Sequence, residues 1–276
     1  MFANPLAWPV DRETLDLFLR HFAIAPDRDA RATLPRVARA FSRIPYENLT
    51  KIVHETEIRG AMHALRTPRE VIVDHIRWGA GGTCFALTAT LLHLVRALGF
   101  RAEPILADRR YGADTHCALV VWLDELPQLI DPGYLLVDPI PLVGLAIREI
   151  ATTFNDVVLV PHANGEKWDL STRQQGSLTY RLTFKSQPVD EVQFLKAWEA
   201  SFDWDMMKYP VLTRVEGGSQ RYLQGRRFQT RTRQTVERLE LTEDEWTRRI
   251  VDEFGLAPEL VRAALRAWDE RGESPA

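Results

Sequence analysis

Gly81-Gly82-Thr83-Cys84-Phe85-Ala86-Leu87-Thr88 places two glycines immediately before a cysteine that opens a helical pattern. Leu87, Leu91, Leu92, Val95 and Leu98 recur at helical spacing behind it, and Gly99 supplies the stop. A thiol in the first turn of such a helix faces unpaired backbone N–H groups and the positive end of the helix dipole, both of which favour thiolate. Taken alone, Cys84 reads as a nucleophile or as a small buried hydrophobe.

Upstream, the chain is mainly helical. Leu15, Phe18, Leu19 and Phe22 form one apolar face behind Asp11 as cap. Thr33, with Pro35 in the first turn, starts a second face through Leu34, Val37, Ala38 and Phe41, and Pro45 ends it. Ile44-Pro45-Tyr46-Glu47-Asn48-Leu49 reads as an ordered turn. Thr67-Pro68-Arg69-Glu70 is a capping box with proline at the first helical position, predicting a helix to about Trp78 that stops at Gly79.

After Arg101 the pattern changes to short β-prone runs at 102–106, 117–123, 129–131, 157–160 and 177–184, which predict an antiparallel sheet or small barrel. Pro188 opens another helix through Val192, Leu195 and Trp198. Strands are expected around 211–215 and 221–230, and two helices close the chain, one capped by Thr242 and Glu245 and one begun by Pro258. The tail from Arg271 is expected to fray. The fold class is α+β, with no linker long enough to separate independent domains.

A cysteine nucleophile needs a base, and the base needs a partner on its second ring nitrogen. His116 opens the apolar run Thr115-His116-Cys117-Ala118-Leu119-Val120-Val121-Trp122, and Asp131 ends the next one before a turn at Pro132-Gly133. If the two strands are neighbours, His116 and Asp131 sit side by side across the ladder. Separately, His116 reads equally as a satisfied core histidine, and Asp131 as a turn residue.

A chain of 276 residues that is 45% hydrophobic can bury a large core, and a net charge of -3 gives no general case for nucleic acid or an anionic membrane. The stretch from Leu135 to Ile147 is too short and too interrupted to span a bilayer. The start, Met1-Phe2-Ala3-Asn4-Pro5, lacks a secretory pattern. Two cysteines, Cys84 and Cys117, fit a reducing compartment, so a cytoplasmic location is expected. Metal binding is not expected, because His116 and Cys117 are adjacent on a strand and point to opposite faces. Cys117 reads as core, and His21, His54, His63, His75, His93 and His162 have no ligand-like spacing. Arg221, Arg226, Arg227, Arg231 and Arg233 form a basic run that reads as a solvated hairpin face or a contact for coenzyme A phosphates.

In order and separation, these residues resemble the arylamine N-acetyltransferases. That family shows Arg-Gly-Gly-x-Cys-Phe-Glu, a strand begun by Thr-His, and an Asp-Val-Gly-Phe turn. Here the text reads Ala80-Gly81-Gly82-Thr83-Cys84-Phe85-Ala86, Thr115-His116 and Asp131-Pro132-Gly133-Tyr134. Ile44-Pro45-Tyr46-Glu47-Asn48-Leu49 is similar to Val-Pro-Phe-Glu-Asn-Leu, and Leu212-Thr213-Arg214 to Phe-Thr-Arg. The resemblance implies a helical lobe carrying the nucleophile (1–99), a β-barrel lobe carrying the histidine and aspartate (100–187) and an α/β lid (188–276), the cysteine-proteinase-like arrangement. It implies a papain-like triad of Cys84, His116 and Asp131, with Tyr46 and Tyr134 as substrate contacts. The implied reaction is ping-pong transfer of an acetyl or other acyl group from coenzyme A, a co-substrate rather than a bound cofactor, to a small-molecule amine of the arylamine or hydrazine kind. An amide synthase acting on a carrier-protein-linked chain, a cysteine hydrolase, or an inactive binding protein of the same fold are the alternatives. Ala80 and Ala86 stand where the family has Arg and Glu, so the charges that usually flank the cysteine are missing.

Overall fold

The computed structural model describes residues 4–57 and 65–270; the segment preceding residue 4, His63 and the tail from Arg271 lie outside the described residues. Helices α1 (Glu13–His21), α2 (Ala30–Phe41), α3 (Leu49–Glu57), α4 (Pro68–Trp78) and α5 (Cys84–Ala97) form the first part, with a two-residue strand, β1 (Tyr46–Glu47), between α2 and α3. Every residue of α5 from Cys84 to Leu92 is buried, because its sequence is apolar all round, and it packs against α4 and the sheet that follows.

Eight antiparallel strands come next: β2 (Ala102–Arg109), β3 (Gly112–Leu123), β4 (Leu126–Asp131), β5 (Leu136–Pro141), β6 (Arg148–Ala151), β7 (Asp156–Pro161), β8 (Lys167–Gln174) and β9 (Ser177–Lys185). They lie in the order β5-β4-β3-β2-β9-β8-β7-β6 and curl about a core that includes Ile105, Val120, Trp168 and Phe184. Helix α6 (Glu191–Ala200) follows and buries Phe194 and Trp198 beside Phe85 of α5. A second sheet, of β10 (Val211–Glu216), β11 (Ser219–Gln224), β12 (Arg227–Arg231) and β13 (Val236–Glu240), packs on α7 (Glu243–Phe254) and α8 (Pro258–Glu270).

Several local expectations need correction. Helix α2 begins at Ala30, not Thr33, because Asp29 caps it by accepting from Arg31 N at 2.9 Å. Pro35 therefore lies inside the helix, and Thr33 Oγ1 accepts from Asp27 N instead. The turn at 44–49 contains β1, which adds to the edge of the second sheet through Tyr46↔Thr213 and Glu47↔Leu212. Strands β5, β6, β8 and β13 and helix α3 carry weaker patterns and were not expected. The anticipated run 221–230 is divided by a turn at Gly225. The two capping boxes form as expected at Thr67–Glu70 and Thr242–Glu245.

Gly79 ends α4 in the left-handed region (φ 66°), and Gly255 ends α7 likewise (φ 74°). The two helix ends meet there: a Cβ on Gly79 would collide with the carbonyl oxygen of Gly255. Gly79→Ala should destabilise the protein by about 2–4 kcal/mol, the sum of a positive-φ penalty and backbone overpacking. Urea unfolding measures it, and an unchanged midpoint would contradict this packing.

Candidate active site

Cys84 is the first residue of α5 and is 3% exposed. Thr83 precedes it in extended geometry (φ −77°, ψ 173°) and makes no side-chain cap, so no side chain satisfies the N–H groups of the helix tip from that position. The Gly81–Gly82 loop is fixed by the backbone of residues 45–47: Gly82 N donates to Pro45 O at 3.4 Å and Glu47 N to Gly82 O at 3.1 Å. A Cβ on Gly81 would run into the Pro45 carbonyl, which explains the glycine.

Two buried charges complete the loop. The Glu47 carboxylate accepts from Gly81 N (3.2 Å), Thr50 N (2.9 Å) and Thr50 Oγ1 (2.7 Å). Arg66 donates to Gly81 O and pairs with Asp74 at 3.1 Å. Ala80 and Ala86 are buried and uncharged; Glu47 and Arg66 hold the loop before the cysteine through Gly81, while the charges that act on the thiol are those of His116 and Arg109.

His116, on β3, and Asp131, ending β4, are both fully buried, and Nε2 of the imidazole lies 2.7 Å from Asp131 Oδ2. They are not directly opposite as the sequence suggested. The ladder pairs Leu119 with Ile130, so the next step would set Asp131 against Ala118, two residues along the same face from His116. The side chains meet on the diagonal. Asp131 Oδ1 accepts from Gly133 N (2.8 Å) and Tyr134 N (3.0 Å), so the turn after β4 orients the carboxylate. Gly133 sits where the three groups converge: a Cβ there would lie 2.9 Å from His116 Cε1 and 3.5 Å from Cys84 Cβ.

With Nε2 engaged by Asp131, Nδ1 is the imidazole nitrogen on the side of the sulfur, and it is shared with Arg109 Nη2. The Cys84 thiol is held well below its usual pKa, first by hydrogen bonding from Cys117, against the effect of burial, and then by the hydrogen bond and charge of His116 and the charge of Arg109. Burial works to lower the His116 pKa, but the charge and hydrogen bond of Asp131, with Cys84, bring it above the usual value. Arg109 Nη2, 3.0 Å from Nδ1, opposes protonation there.

Cys117 is core, as expected, yet it also faces α5 and its Sγ lies 3.4 Å from Thr88 Oγ1. Its influence on Cys84 was missed, as were Arg109, Glu47 and Arg66. Glu47 lay within a stretch already singled out; Arg109 and Arg66 carried no signal, because their neighbours in space are remote in sequence. Tyr46 and Tyr134 line a cavity of about 350 Å³ between the two sheets, together with Arg109, and the Tyr134 ring stands edge-on to His116 with centroids 5.4 Å apart.

The basic run does not act as one face. Arg221 pairs with Glu253 and Arg233 with Asp156, Arg227 lies beside Glu240 at the surface, and Arg231 lines the cavity. His75 Nδ1 lies 2.9 Å from Ala80 O, and burial brings its pKa down to about 4. His162 meets Asp169 at 3.0 Å. Among the described residues no group of three or more His, Cys, Asp and Glu is arranged to hold a metal, and no helix is long and apolar enough to cross a membrane.

The sequence profile of the N-acetyltransferase family matches residues 32–262. Comparison by sequence with curated proteins gives no match. Among solved structures, the arylamine N-acetyltransferase from Mycobacterium abscessus superposes with a TM-score of 0.77 at 22% identity, covering 92% of this chain and 94% of that one. The enzyme from Salmonella typhimurium gives 0.73 at 17% identity, over 93% and 99%. An arylamine N-acetyltransferase from Bacillus cereus, described as having a Cys-His-Glu catalytic triad, gives 0.71 at 17%, over 89% and 99%. These likenesses show the shared α+β fold, and the profile match over most of the chain shows that it belongs to the arylamine N-acetyltransferase family and is an N-acetyltransferase.

Proposed function

We propose that the protein transfers an acetyl or other acyl group from coenzyme A to an amine through a Cys84 acyl-enzyme. One observation carries the reading: a buried imidazole held by a carboxylate at 2.7 Å and within hydrogen-bonding influence of a thiol at a helix tip. Cys84 thiolate attacks the thioester carbon, the bond from that carbon to the coenzyme A sulfur breaks, and His116 returns a proton to the departing thiolate. The amine then attacks the acyl-enzyme, neutral His116 takes its proton, and the thiolate of Cys84 leaves. Asp131 keeps the imidazole in the tautomer with its proton on Nε2 and stabilises the imidazolium. Backbone N–H groups at the tip of α5 stabilise the oxyanion. Tyr46 and Tyr134 contact the acceptor. Two free cysteines, both buried, support the cytoplasm as its location.

The missing flanking charges favour an inactive relative only if the loop has lost its support, and Glu47 and Arg66 supply that support. Incubation with acetyl-coenzyme A should add one acetyl group to the intact mass, and Cys84→Ala should abolish the gain. Release of free acetate without an amine would instead indicate hydrolysis, and no adduct with any coenzyme A thioester would sink the reading.

The pH dependence of acyl-enzyme formation follows from the same charges. Asp131 favours imidazolium, and imidazolium favours thiolate, so Asp131→Asn should move the acid limb of the rate profile to higher pH and lower the rate at pH 7. A profile that only scales down, with its limb unmoved, contradicts that role. Gly133→Ala should cut the acylation rate by about tenfold to a hundredfold by pushing His116 out of line, with little change in thermal unfolding. A full rate in that variant would show that the convergence at Gly133 does not matter.

A further inference from the structure

The eight-stranded sheet does not close on itself. Its two edge strands, β5 and β6, follow one another in the chain and line opposite sides of a groove of about 830 Å³. Leu136, Ile140, Ile147, Ile150 and Phe154 give it an apolar lining. The three charged residues along it are each held by this chain: Asp138 pairs with Arg39 at 3.0 Å, Glu149 pairs with Arg173 at 2.9 Å, and Arg148 donates Nη2 to the Val143 carbonyl at 3.0 Å. Leu145 and Ile147, on the connection between the two strands, are 62% and 58% exposed. Contiguous apolar surface around a space of small-molecule size marks a ligand site.

The groove continues from the cavity beside Cys84 and His116. Tyr134, Leu135 and Phe154 line both spaces, and Gly133 lines the cavity at the point where a Cβ would lie 3.5 Å from Cys84 Cβ. The chain from Gly133 to Leu136 therefore runs from the thiol into the groove. Half-buried Leu135 stands at the boundary with φ 60°, a left-handed backbone that leucine adopts only under constraint. The two spaces differ in character. Arg109, Arg181 and Arg231 line the cavity, so a hydrocarbon chain gains most by turning out of it into the apolar groove. In an acyl-enzyme the acyl carbon is bonded to the Cys84 sulfur, so its chain starts beside Gly133.

We propose that the groove between β5 and β6 holds the hydrocarbon chain of a medium-length acyl group, of the octanoyl kind, carried on Cys84, and that Leu135 governs its passage from the cavity. The proposal rests on the acyl-transfer reading for the bond to sulfur. The four residues of β6 alone give a wall about 13 Å long at the usual rise of a strand. Each methylene that moves from water into the groove adds to affinity, whereas an acetyl group ends before reaching it.

Intact mass follows acylation of the full chain by octanoyl- and acetyl-coenzyme A at low donor concentration, and the ratio of the two rates is the readout. Octanoyl should add at least as fast as acetyl. Ala151→Trp, which fills the groove, and Ile147→Asp, which places a charge in it, alter exposed positions and should each lower the ratio about tenfold. Leu135→Gly should raise it. Slower octanoyl transfer by the unaltered protein, or a ratio that none of these variants moves, overturns the proposal and leaves acyl transfer standing. Calorimetry on the Cys84→Ala protein reads binding without chemistry: octanoyl-coenzyme A should bind about tenfold or more tighter than acetyl-coenzyme A, and adding Ala151→Trp should remove most of that preference. Equal binding of the two also overturns the proposal. A preference that Ala151→Trp removes, with no adduct on the unaltered protein from either thioester, would uphold the groove and overturn the acyl-transfer reading instead.

Discussion

The structure turns on one imidazole ring that meets two elements at once. His116 reaches Asp131 along the sheet and Cys84 across the gap to α5, and the second contact requires the helix tip to dock against β3 and β4. That docking brings a thiol, an imidazole and a carboxylate into a fully buried space, where each is costly alone. Together they offset the cost: the carboxylate favours the charged imidazole, which favours thiolate, while the turn N–H groups of Gly133 and Tyr134 hold the carboxylate.

The tip is held by a short stretch with three duties. Pro45 and Glu47 bond to the glycine loop through their backbone, and the Glu47 side chain accepts from the same loop. Tyr46 and Glu47 also form β1, the edge strand of the second sheet. Asn48 binds Tyr209 O at 2.8 Å and accepts from Val211 N at 2.7 Å. The cysteine loop and the C-terminal sheet are thus fastened to the same four residues. Since that sheet supplies one wall of the cavity, the geometry around Cys84 and the shape of the space in front of it are set together.

Much of this was legible in the sequence where local chemistry decides the outcome. The two capping boxes, the stop at Gly79 and the start of α5 at Cys84 depend on residues within one turn, and they form where the pattern put them. The apolar runs of β3 and β4 gave the strands that carry His116 and Asp131, although not their diagonal offset, which depends on register. What the sequence concealed depends on distance along the chain. Glu47 and Arg66 hold the glycine loop from positions far from Cys84 in the chain, and Arg109, Arg181 and Arg231 converge only because two sheets face each other. Arg231 read as part of a solvated basic run because its neighbours in sequence are solvated or paired; only the fold turns it inward.

The central claim is that Cys84 is a thiolate prepared by His116 before any substrate arrives. Ultraviolet titration of thiolate absorbance tests it most directly, taken as the difference between the protein and its Cys84→Ala variant. The account predicts that the difference persists well below the ordinary thiol value of about 8.5 and that the acid transition moves upward in the Asp131→Asn protein. A difference that vanishes near the ordinary value, and does so with or without Asp131, would contradict it.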